Sequence, residues 1–189
     1  MSKLVVSEFV SVDGVMEDPG GGESYERGGW AFRFERSPDG DRYKYDELMA
    51  AGAMLLGRVT YEGFAQAWPK MESDDFGRKM NTMPKYVYSS TLRSADWTNS
   101  TILTGDLGER VAELKDSVEG DLLVAGSAQL AQGLAALGLV DEYRLMVYPV
   151  LLGAGKRLFD GTSAPATLRA TDVRPVGDAG VAVLTYVPA

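Results

Sequence analysis

The chain contains neither cysteine nor histidine among its 189 residues. Without cysteine there is no disulfide and no thiolate nucleophile, and without histidine there is no Ser-His-Asp triad. The usual zinc sites draw on the same two residue types, so we expect no metal centre. Side-chain chemistry is left to carboxylates, hydroxyls, Lys and Arg, unless a cofactor performs the difficult step.

Basic residues are also scarce, with 19 Lys and Arg against 27 Asp and Glu and a formal net charge of −8. Nucleic-acid binding depends on clustered Lys and Arg, so we expect no nucleic-acid partner. No apolar run approaches the roughly 20 residues of a membrane-spanning helix. The first residues also lack the features of a signal peptide. We therefore expect no membrane partner and a cytoplasmic location.

Strand-like runs alternate with helix-like runs along most of the chain. The predicted strands cover residues 4–11, 53–56, 85–89, 101–104, 121–125, 142–150, 167–173 and 181–187. The predicted helices cover residues 40–51, 61–68, 106–118 and 127–137, and Gly52 is expected to end the first of them. This pattern predicts one α/β domain over residues 1–189, with a sheet that is parallel in the middle and ends in an antiparallel C-terminal pair.

Residues 17–40 do not fit this alternation, because they hold Pro19 and six glycines. Loops this long inside a domain are usually functional or disordered. The segment follows the first strand, where an α/β sheet places its ligand crevice, so it is a candidate lid that carries Trp30 over the pocket. In the alternative interpretation, Trp30, Phe32 and Phe34 cover part of the core or a subunit interface.

Two apolar runs end at a glycine and are followed at once by a helical pattern. Gly57 precedes Arg58 and Thr60, and Gly126 precedes Ser127, which can cap the next helix. A glycine lets the backbone approach an anion, and the positive end of the following helix then faces it. Arg58 and Thr60 suit a phosphate monoester. Such turns also occur in α/β proteins where they bind nothing.

Five short motifs follow one another along the chain. They are Ser11-Val12-Asp13-Gly14, Gly57-Arg58-Val59-Thr60-Tyr61-Glu62, Ser89-Ser90, Val124-Ala125-Gly126-Ser127 and the run from Tyr148 to Phe159 that contains Gly153. In this order they resemble the dihydrofolate reductase-like superfamily, in the branch shared with the reductase domain of bifunctional riboflavin-biosynthesis proteins. The resemblance covers nearly the whole chain, and the last motif is the most specific.

This resemblance implies a dihydrofolate reductase-like fold that binds NADPH and passes hydride to a pyrimidine, a pterin or a related small acceptor. Such an activity is similar to that of 5-amino-6-(5-phosphoribosylamino)uracil reductase. The resemblance also implies which residues bind the cofactor. Gly57, Arg58 and Thr60 would hold cofactor phosphates, Ser89 and Ser90 would contact the 2′-phosphate, and Gly126, Ser127 and Ala128 would bind the pyrophosphate. The alternative is a nucleotide- or pterin-binding module of the same fold that has no turnover.

On the substrate side the resemblance implies roles for Asp13, Trp30 and Gly153. Asp13 would face the nicotinamide and supply a proton, because no histidine is present. Asp-Gly is also a common turn, so Asp13 has a purely structural alternative. A substrate phosphate would have Lys156, Arg157, Arg33 and Arg36 as candidate ligands, and for Lys156 and Arg157 the alternative is solvated surface charge.

The chain departs from the folate reductases at Gly126-Ser127, where they have a glycine pair. It also cannot carry the zinc deaminase that often accompanies riboflavin-type reductases. We expect a homodimer, because residues 142–150 form a long, alternating apolar run near the C-terminal edge and riboflavin-type reductase domains pair. If this strand is internal and covered, that argument fails.

Overall fold

A central sheet of eight strands runs through the computed structural model, which describes residues 2–35, 37–160 and 165–189. Its spatial order is β4-β3-β2-β5-β1-β6-β8-β7. The strands are β1 Leu4–Ser11, β2 Ala51–Gly57, β3 Lys85–Tyr88, β4 Ser100–Leu103, β5 Asp121–Val124, β6 Glu142–Tyr148, β7 Leu168–Val176 and β8 Val181–Pro188.

The first six strands in this spatial order, β4, β3, β2, β5, β1 and β6, pair in parallel. β8 pairs antiparallel with β6, and β7 pairs antiparallel with β8. The predicted mostly parallel sheet with an antiparallel C-terminal pair is therefore confirmed. β1 lies in the interior of the sheet, where Val5 pairs with Leu123 of β5 and Glu142 of β6. Leu4, Val5 and Val6 are all fully buried, as expected for a strand covered on both faces.

Helices cover both faces of the sheet. They are α1 Ser37–Ala50, α2 Arg58–Ala67, α3 Asp75–Thr82, α4 Leu107–Ser117 and α5 Ala128–Ala136, with short 3₁₀-helices at Trp30–Arg33 and Trp68–Lys70. On one face, α4 and α5 pack apolar side chains such as Val111 and Leu134 around Leu4. On the other, Leu48 of α1 and Met80 of α3 belong to the core cluster that contains Val5.

Two helical features differ from the sequence prediction. α3 was not predicted, because the helix is short and Phe76 and Met80 are the two large apolar residues among its eight positions. Its signal is Asp74, whose carboxylate caps the helix by accepting the Gly77 N–H at 2.8 Å. The 3₁₀-helix Trp30–Arg33 and the start of α1 at Ser37 both lie inside the 17–40 segment. The long irregular stretch therefore reaches only to residue 29.

Gly52 lies inside β2 and does not end the preceding helix, which corrects the sequence prediction. A Cβ at Gly52 would lie 1.9 Å from the Glu119 carbonyl oxygen and 2.8 Å from Val118 Cγ1. The chain that leads into β5 therefore passes too close for any side chain here. Glycine at this position answers a steric requirement between neighbouring strands.

The apolar strand used to predict a homodimer is internal. β6 lies between β1 and β8, and its Tyr143, Leu145 and Met146 are buried. The argument from an open strand is therefore wrong, while the homodimer itself stays a prediction. Within the described residues, the structure contains no helix with the length and apolar character needed to cross a membrane.

Replacing Gly52 with alanine should destabilise the protein by about 1–3 kcal/mol, because the added methyl overlaps the backbone near Glu119. Gly63→Ala in α2 is the matched control. A Cβ there meets nothing within 4 Å, so this variant should gain about 0.5–1 kcal/mol. Urea denaturation measures the free energy of unfolding of both variants. Equal stability of Gly52→Ala and wild type would contradict the close approach.

Candidate functional site

A cleft of about 1940 Å³ opens at the carboxyl ends of β1, β2, β3 and β5. Sites for one small molecule usually occupy roughly 300–1,000 Å³. The cleft is therefore large enough for two ligands side by side. Strand ends, the turns that follow them and the first residues of α2 and α5 form one part of its wall, and β1, residues 16–20 and α1 form the other.

The two glycine turns identified in the sequence pack directly against each other. The Ser127 hydroxyl accepts the Gly57 N–H at 2.8 Å and donates to Thr60 Oγ1 at 2.9 Å. A Cβ at Gly57 would lie 2.5 Å from Ser127 Oγ, and a Cβ at Gly126 would lie 2.7 Å from Thr60 Cγ2. Both glycines are therefore required by this contact between turns, and their backbones line the cleft.

Ser127 does not cap α5, which corrects the sequence prediction. Its φ is 71°, in the left-handed region, and its side chain makes no capping bond. The hydroxyl cannot cap the helix, because it is used across the two turns. No peptide bond between described residues is cis, so the Gly126–Ser127 bond is trans.

The N-termini of α2 and α5 both reach the cleft without a side-chain cap. Neither helix has an acidic residue in its first turn. The first N–H groups of a helix have no partner within the helix, and together with the macrodipole they favour a negative charge. This wall of the cleft is suited to phosphate groups.

Every predicted cofactor residue lies on the wall of this cleft. They are Gly57, Arg58, Thr60, Ser89, Ser90, Gly126, Ser127 and Ala128. Their contact with a cofactor stays a prediction.

Arg58 and Ser89 already have partners within the chain. Arg58 donates to Glu62 at 2.9 Å, and the Arg58 side chain is 44% exposed. Exposed pairs of this kind contribute little, so the guanidinium can exchange Glu62 for a phosphate. Ser89 Oγ accepts the backbone N–H groups of Thr91 and Leu92 at 3.2 and 3.0 Å and so shapes the turn after β3.

Asp13 faces a loop and does not line the cleft. Its carboxylate accepts the Ser11 hydroxyl at 2.7 Å and the backbone N–H groups of Leu152 and Gly153 at 3.1 and 2.7 Å. The Ser11 hydrogen bond, helped by the two N–H groups, lowers the pKa of Asp13 to about 2. These contacts support the structural alternative for Asp13, which holds a turn with Gly153, while the substrate roles of both residues stay predictions.

Trp30 is fully buried and lies away from the cleft. Its indole N–H donates to the Glu17 carbonyl at 2.8 Å, and its ring packs edge-on against Tyr148 with centroids 5.5 Å apart. Phe34 also packs against Tyr148. Of the two interpretations of this segment, the structure supports core packing for Trp30. The exposed Phe32 is the aromatic residue of the segment that lines the cleft.

Glu8 is the cleft residue that sequence reasoning missed. It points from β1 toward the β5–α5 turn, where its two carboxyl oxygens accept the Gly126 N–H at 2.9 and 3.1 Å. The residue is only 5% exposed, and burial raises its pKa. The Gly126 hydrogen bond lowers the pKa by a smaller amount, so the net value is about 8. A carboxyl group with this pKa is mostly protonated at pH 7. The available signal was a glutamate inside a mostly apolar strand, since Glu is almost never fully buried without a partner.

Beside Glu8 the cleft contains a second polar group that was also missed. Lys44 Nζ donates to Ser7 Oγ at 2.8 Å and pairs with Glu47 Oε2. Ser7 Oγ in turn donates to Glu47 Oε2 at 2.9 Å. Lys44 and Glu47 lie one turn apart on α1, so this group joins α1 to β1. The cleft thus has a wall suited to anions and, next to it, a group of carboxyl side chains.

Comparison with known proteins agrees with this fold and site. The RibD C-terminal domain family model matches residues 2–181. The uncharacterized protein YyaP of Bacillus subtilis (strain 168) is 30% identical, over 97% of this chain and 94% of that protein.

Two solved structures resemble the chain in fold. One is a Shewanella sp. PV-4 protein provisionally named a riboflavin biosynthesis protein, with a TM-score of 0.78 and 18% identity over 100% of this chain and 99% of the other. The second is dihydrofolate reductase from Enterococcus faecalis in complex with NADP(H) and RAB-propyl, with a TM-score of 0.61 and 14% identity over 98% and 96% of the two chains. The fold is thus dihydrofolate reductase-like, as the sequence motifs implied. Because the family match covers nearly all of the sequence, the chain belongs to the RibD C-terminal domain family.

Proposed function

We propose that the protein is an NADPH-dependent reductase that transfers hydride to a pyrimidine, a pterin or a related small heterocycle. The observation that carries the proposal is the pairing of two uncapped helix N-termini with a buried, protonated carboxyl group in one cleft. Family membership supports the same class of activity.

The cofactor would lie along the turns after β2, β3 and β5. There the first N–H groups of α2 and α5 would bind its pyrophosphate, and Arg58, Ser89 and Ser90 would contact the 2′-phosphate on its adenosine ribose. Thr60 and Ser127 would act indirectly, because their hydroxyls hold the two turns together. The cleft volume of about 1940 Å³ leaves space for an acceptor beside a dinucleotide.

Glu8 would supply the proton that must accompany hydride transfer. NADPH provides the hydride when bound, and the chain provides orientation, exclusion of water and an acid. Burial keeps Glu8 protonated at neutral pH, and the Gly126 N–H fixes the position of its carboxyl group. A carboxyl whose pKa lies near the working pH is suited to general acid catalysis. This feature favours the enzyme over a non-catalytic nucleotide- or pterin-binding module.

We also keep the homodimer as a proposal, now on a different surface. Val12 and Leu151 are apolar side chains that are 61% and 74% exposed. The Val12 N–H donates to the Val150 carbonyl at 3.0 Å, so the backbone of Val12 lies beside the residue that precedes Leu151. Exposed apolar groups of this kind are suited to a subunit contact.

NADPH should bind at least about tenfold more tightly than NADH, because each charge-assisted bond to the 2′-phosphate is worth about 1.5–3 kcal/mol. Arg58→Ala should reduce that difference, mainly by weakening NADPH. Arg78→Ala is the matched control, since Arg78 forms a similar exposed pair with Asp75 on α3 but lies outside the cleft. Isothermal titration calorimetry measures the NADPH and NADH affinities of wild type and of both variants. Equal affinities of wild type for NADPH and NADH would contradict the 2′-phosphate assignment.

Glu8→Gln should lower kcat by about 10²- to 10⁴-fold, because glutamine keeps the shape and loses the transferable proton. Its affinity for NADPH should stay close to that of wild type. In wild type, kcat should be highest below the Glu8 pKa of about 8 and fall by about tenfold per pH unit above it, since only the protonated carboxyl is active. Stopped-flow and steady-state NADPH oxidation measure these effects.

Asp13→Asn serves as the contrasting variant in this experiment. It should keep the wild-type pH profile and lose stability, because asparagine cannot accept both the Leu152 and Gly153 N–H groups as a carboxylate does. A wild-type rate in Glu8→Gln would contradict the role of Glu8. NADPH binding without oxidation for any pterin, pyrimidine or carbonyl acceptor would favour the binding module.

A further inference from the structure

The cations considered for a substrate phosphate already have partners within the chain. Lys156 Nζ lies 2.6 Å from Glu17 Oε1, and Arg157 and Arg33 donate to backbone carbonyl groups. Arg36 lies outside the described residues. These residues leave a different cation to explain, one that is buried in the protein and has no role in the mechanism above.

Lys85, the first residue of β3, is a lysine with 0% exposure. Its ammonium group donates to the carbonyl oxygens of Asn81, Met83 and Thr98 at 2.9, 2.8 and 2.9 Å. It also lies 4.2 Å from the centroid of the Trp97 ring. No carboxylate of the described residues pairs with it. Lysine is almost never fully buried without such a partner, so this arrangement calls for a physical reason.

The surroundings of Lys85 match a charged ammonium group. Burial lowers the pKa of Lys85 to about 8, which leaves the group mostly protonated at pH 7. An ammonium has three N–H donors, and here each of them has a carbonyl acceptor. Two of the carbonyls lie at the C-terminal end of α3, where the helix macrodipole favours a cation, and the face of an indole ring favours one as well. Lys85 thus joins the end of α3 to the chain that leads into β4.

The contacts of Lys85 continue toward the cleft through Asn81, which is 6% exposed. The Asn81 side chain accepts the Trp97 indole N–H at 2.8 Å and donates to the Trp68 carbonyl at 2.9 Å. The Trp97 backbone N–H donates to the Tyr61 hydroxyl at 3.0 Å. A continuous set of buried contacts therefore connects Lys85 with Trp68.

Trp68 belongs to an apolar wall of the cleft. This apolar wall consists of Phe64, Trp68, Phe76 and Met80, and it packs in one core cluster with Leu48 of α1. The Trp68 ring contacts those of Phe76 and Phe64, with centroids 5.6 and 6.3 Å apart. The cofactor would follow the turns after β2, β3 and β5, so the apolar wall faces the space beside α1 that is left for the acceptor.

The cofactor side of the cleft has supports of its own. The Ser89 N–H donates to the Leu103 carbonyl at 3.1 Å, and Ser89 Oγ accepts the N–H groups of Thr91 and Leu92. None of these bonds involves Lys85. Loss of the buried ammonium should therefore disturb the apolar wall more than the turn after β3.

We propose that Lys85 is a positioning residue for the acceptor, because its buried ammonium group fixes the apolar wall through Asn81 and Trp97. Lys85 does not line the cleft itself, so it acts only through these neighbours. This inference rests on the proposed reductase function and identifies the interactions that would order the acceptor side of its site.

Fluorine-19 NMR of protein labelled with 5-fluorotryptophan tests the proposal without any ligand. The chain has three tryptophans, and Trp68→Phe identifies the Trp68 resonance by its disappearance. Lys85→Met keeps an unbranched apolar side chain and removes the ammonium, so the Trp68 resonance should shift or broaden while that of Trp30 stays unchanged. A folded Lys85→Met protein with the wild-type Trp68 resonance would overturn the proposal.

Lys115→Met is the matched control for this experiment. Lys115 also donates to a backbone carbonyl, that of Leu139 at 3.0 Å, but it pairs with Asp141 and lies outside the cleft. This variant should leave the Trp68 resonance unchanged. A Trp68 shift in Lys115→Met as large as that in Lys85→Met would count against a specific role for Lys85.

Calorimetry with pterin as the probe acceptor tests the effect on binding. On the NADPH-loaded protein, Lys85→Met should weaken pterin by about tenfold and change NADPH affinity by less than about twofold. Lys115→Met should change neither. Unchanged pterin affinity in Lys85→Met, or an equal loss of NADPH affinity, would overturn the proposal. Failure of pterin to bind wild type would instead contradict the proposed acceptor class, and the Trp68 resonance then decides the role of Lys85.

Asn81→Leu is a second variant that decides the question if Lys85→Met does not fold. It removes the side-chain link between Trp97 and Trp68 and leaves the ammonium with its three carbonyl acceptors. It should shift the Trp68 resonance and weaken pterin in the same way as Lys85→Met. A wild-type Trp68 resonance and wild-type pterin affinity in Asn81→Leu would contradict positioning through Asn81.

Discussion

The cleft depends on the hydrogen bonds that hold the β5–α5 turn between its two neighbouring strands. On one side the Gly126 N–H donates to Glu8 of β1, and on the other Ser127 joins Gly57 and Thr60 at the end of β2. Each bond contributes only about 1 kcal/mol net, but loss of one partner leaves a buried polar group unsatisfied at a larger cost. The turn therefore has one stable position, and the N-termini of α2 and α5 meet at the same edge of the sheet.

The same contact accounts for the chemistry that the site can perform. Glu8 must be buried to reach Gly126, and burial disfavours the charged form of its carboxyl group. Burial thus keeps this acid protonated although the Gly126 hydrogen bond opposes it, and the acid lies beside helix N-termini that favour phosphate groups. The wall around Glu47 adds further carboxyl groups to the cleft.

Local sequence signals were sufficient for the sheet and for the two strand-to-helix turns that line the cleft. Apolar runs that end at Gly57 and Gly126 identify strand-to-helix turns, because the change of periodicity lies within a few neighbouring residues. Asp13 shows the limit of such signals. Its motif is local, yet the groups that lower its pKa include the N–H groups of Leu152 and Gly153, far along the chain.

Glu8 and Trp30 were misjudged for the same reason. The burial of Glu8 depends on the β5–α5 turn, and the burial of Trp30 depends on Tyr148 of β6. Gly52 is a third case, since only the passage of the chain at Glu119 explains why no side chain fits there. Periodicity predicts which elements form. It does not predict which distant group will desolvate or contact a given side chain.

The central claim is that Glu8 is a protonated carboxyl group at neutral pH, and carbon-13 NMR of protein labelled at the glutamate side-chain carboxyl tests it most directly. Glu8→Gln identifies the Glu8 resonance by its disappearance. We predict that this resonance titrates with a midpoint near pH 8, well above the ordinary value of 4.5 for a glutamate. A Glu8 resonance that titrates near pH 4.5 would contradict the account, because the cleft would then contain a carboxylate with no proton to donate at neutral pH.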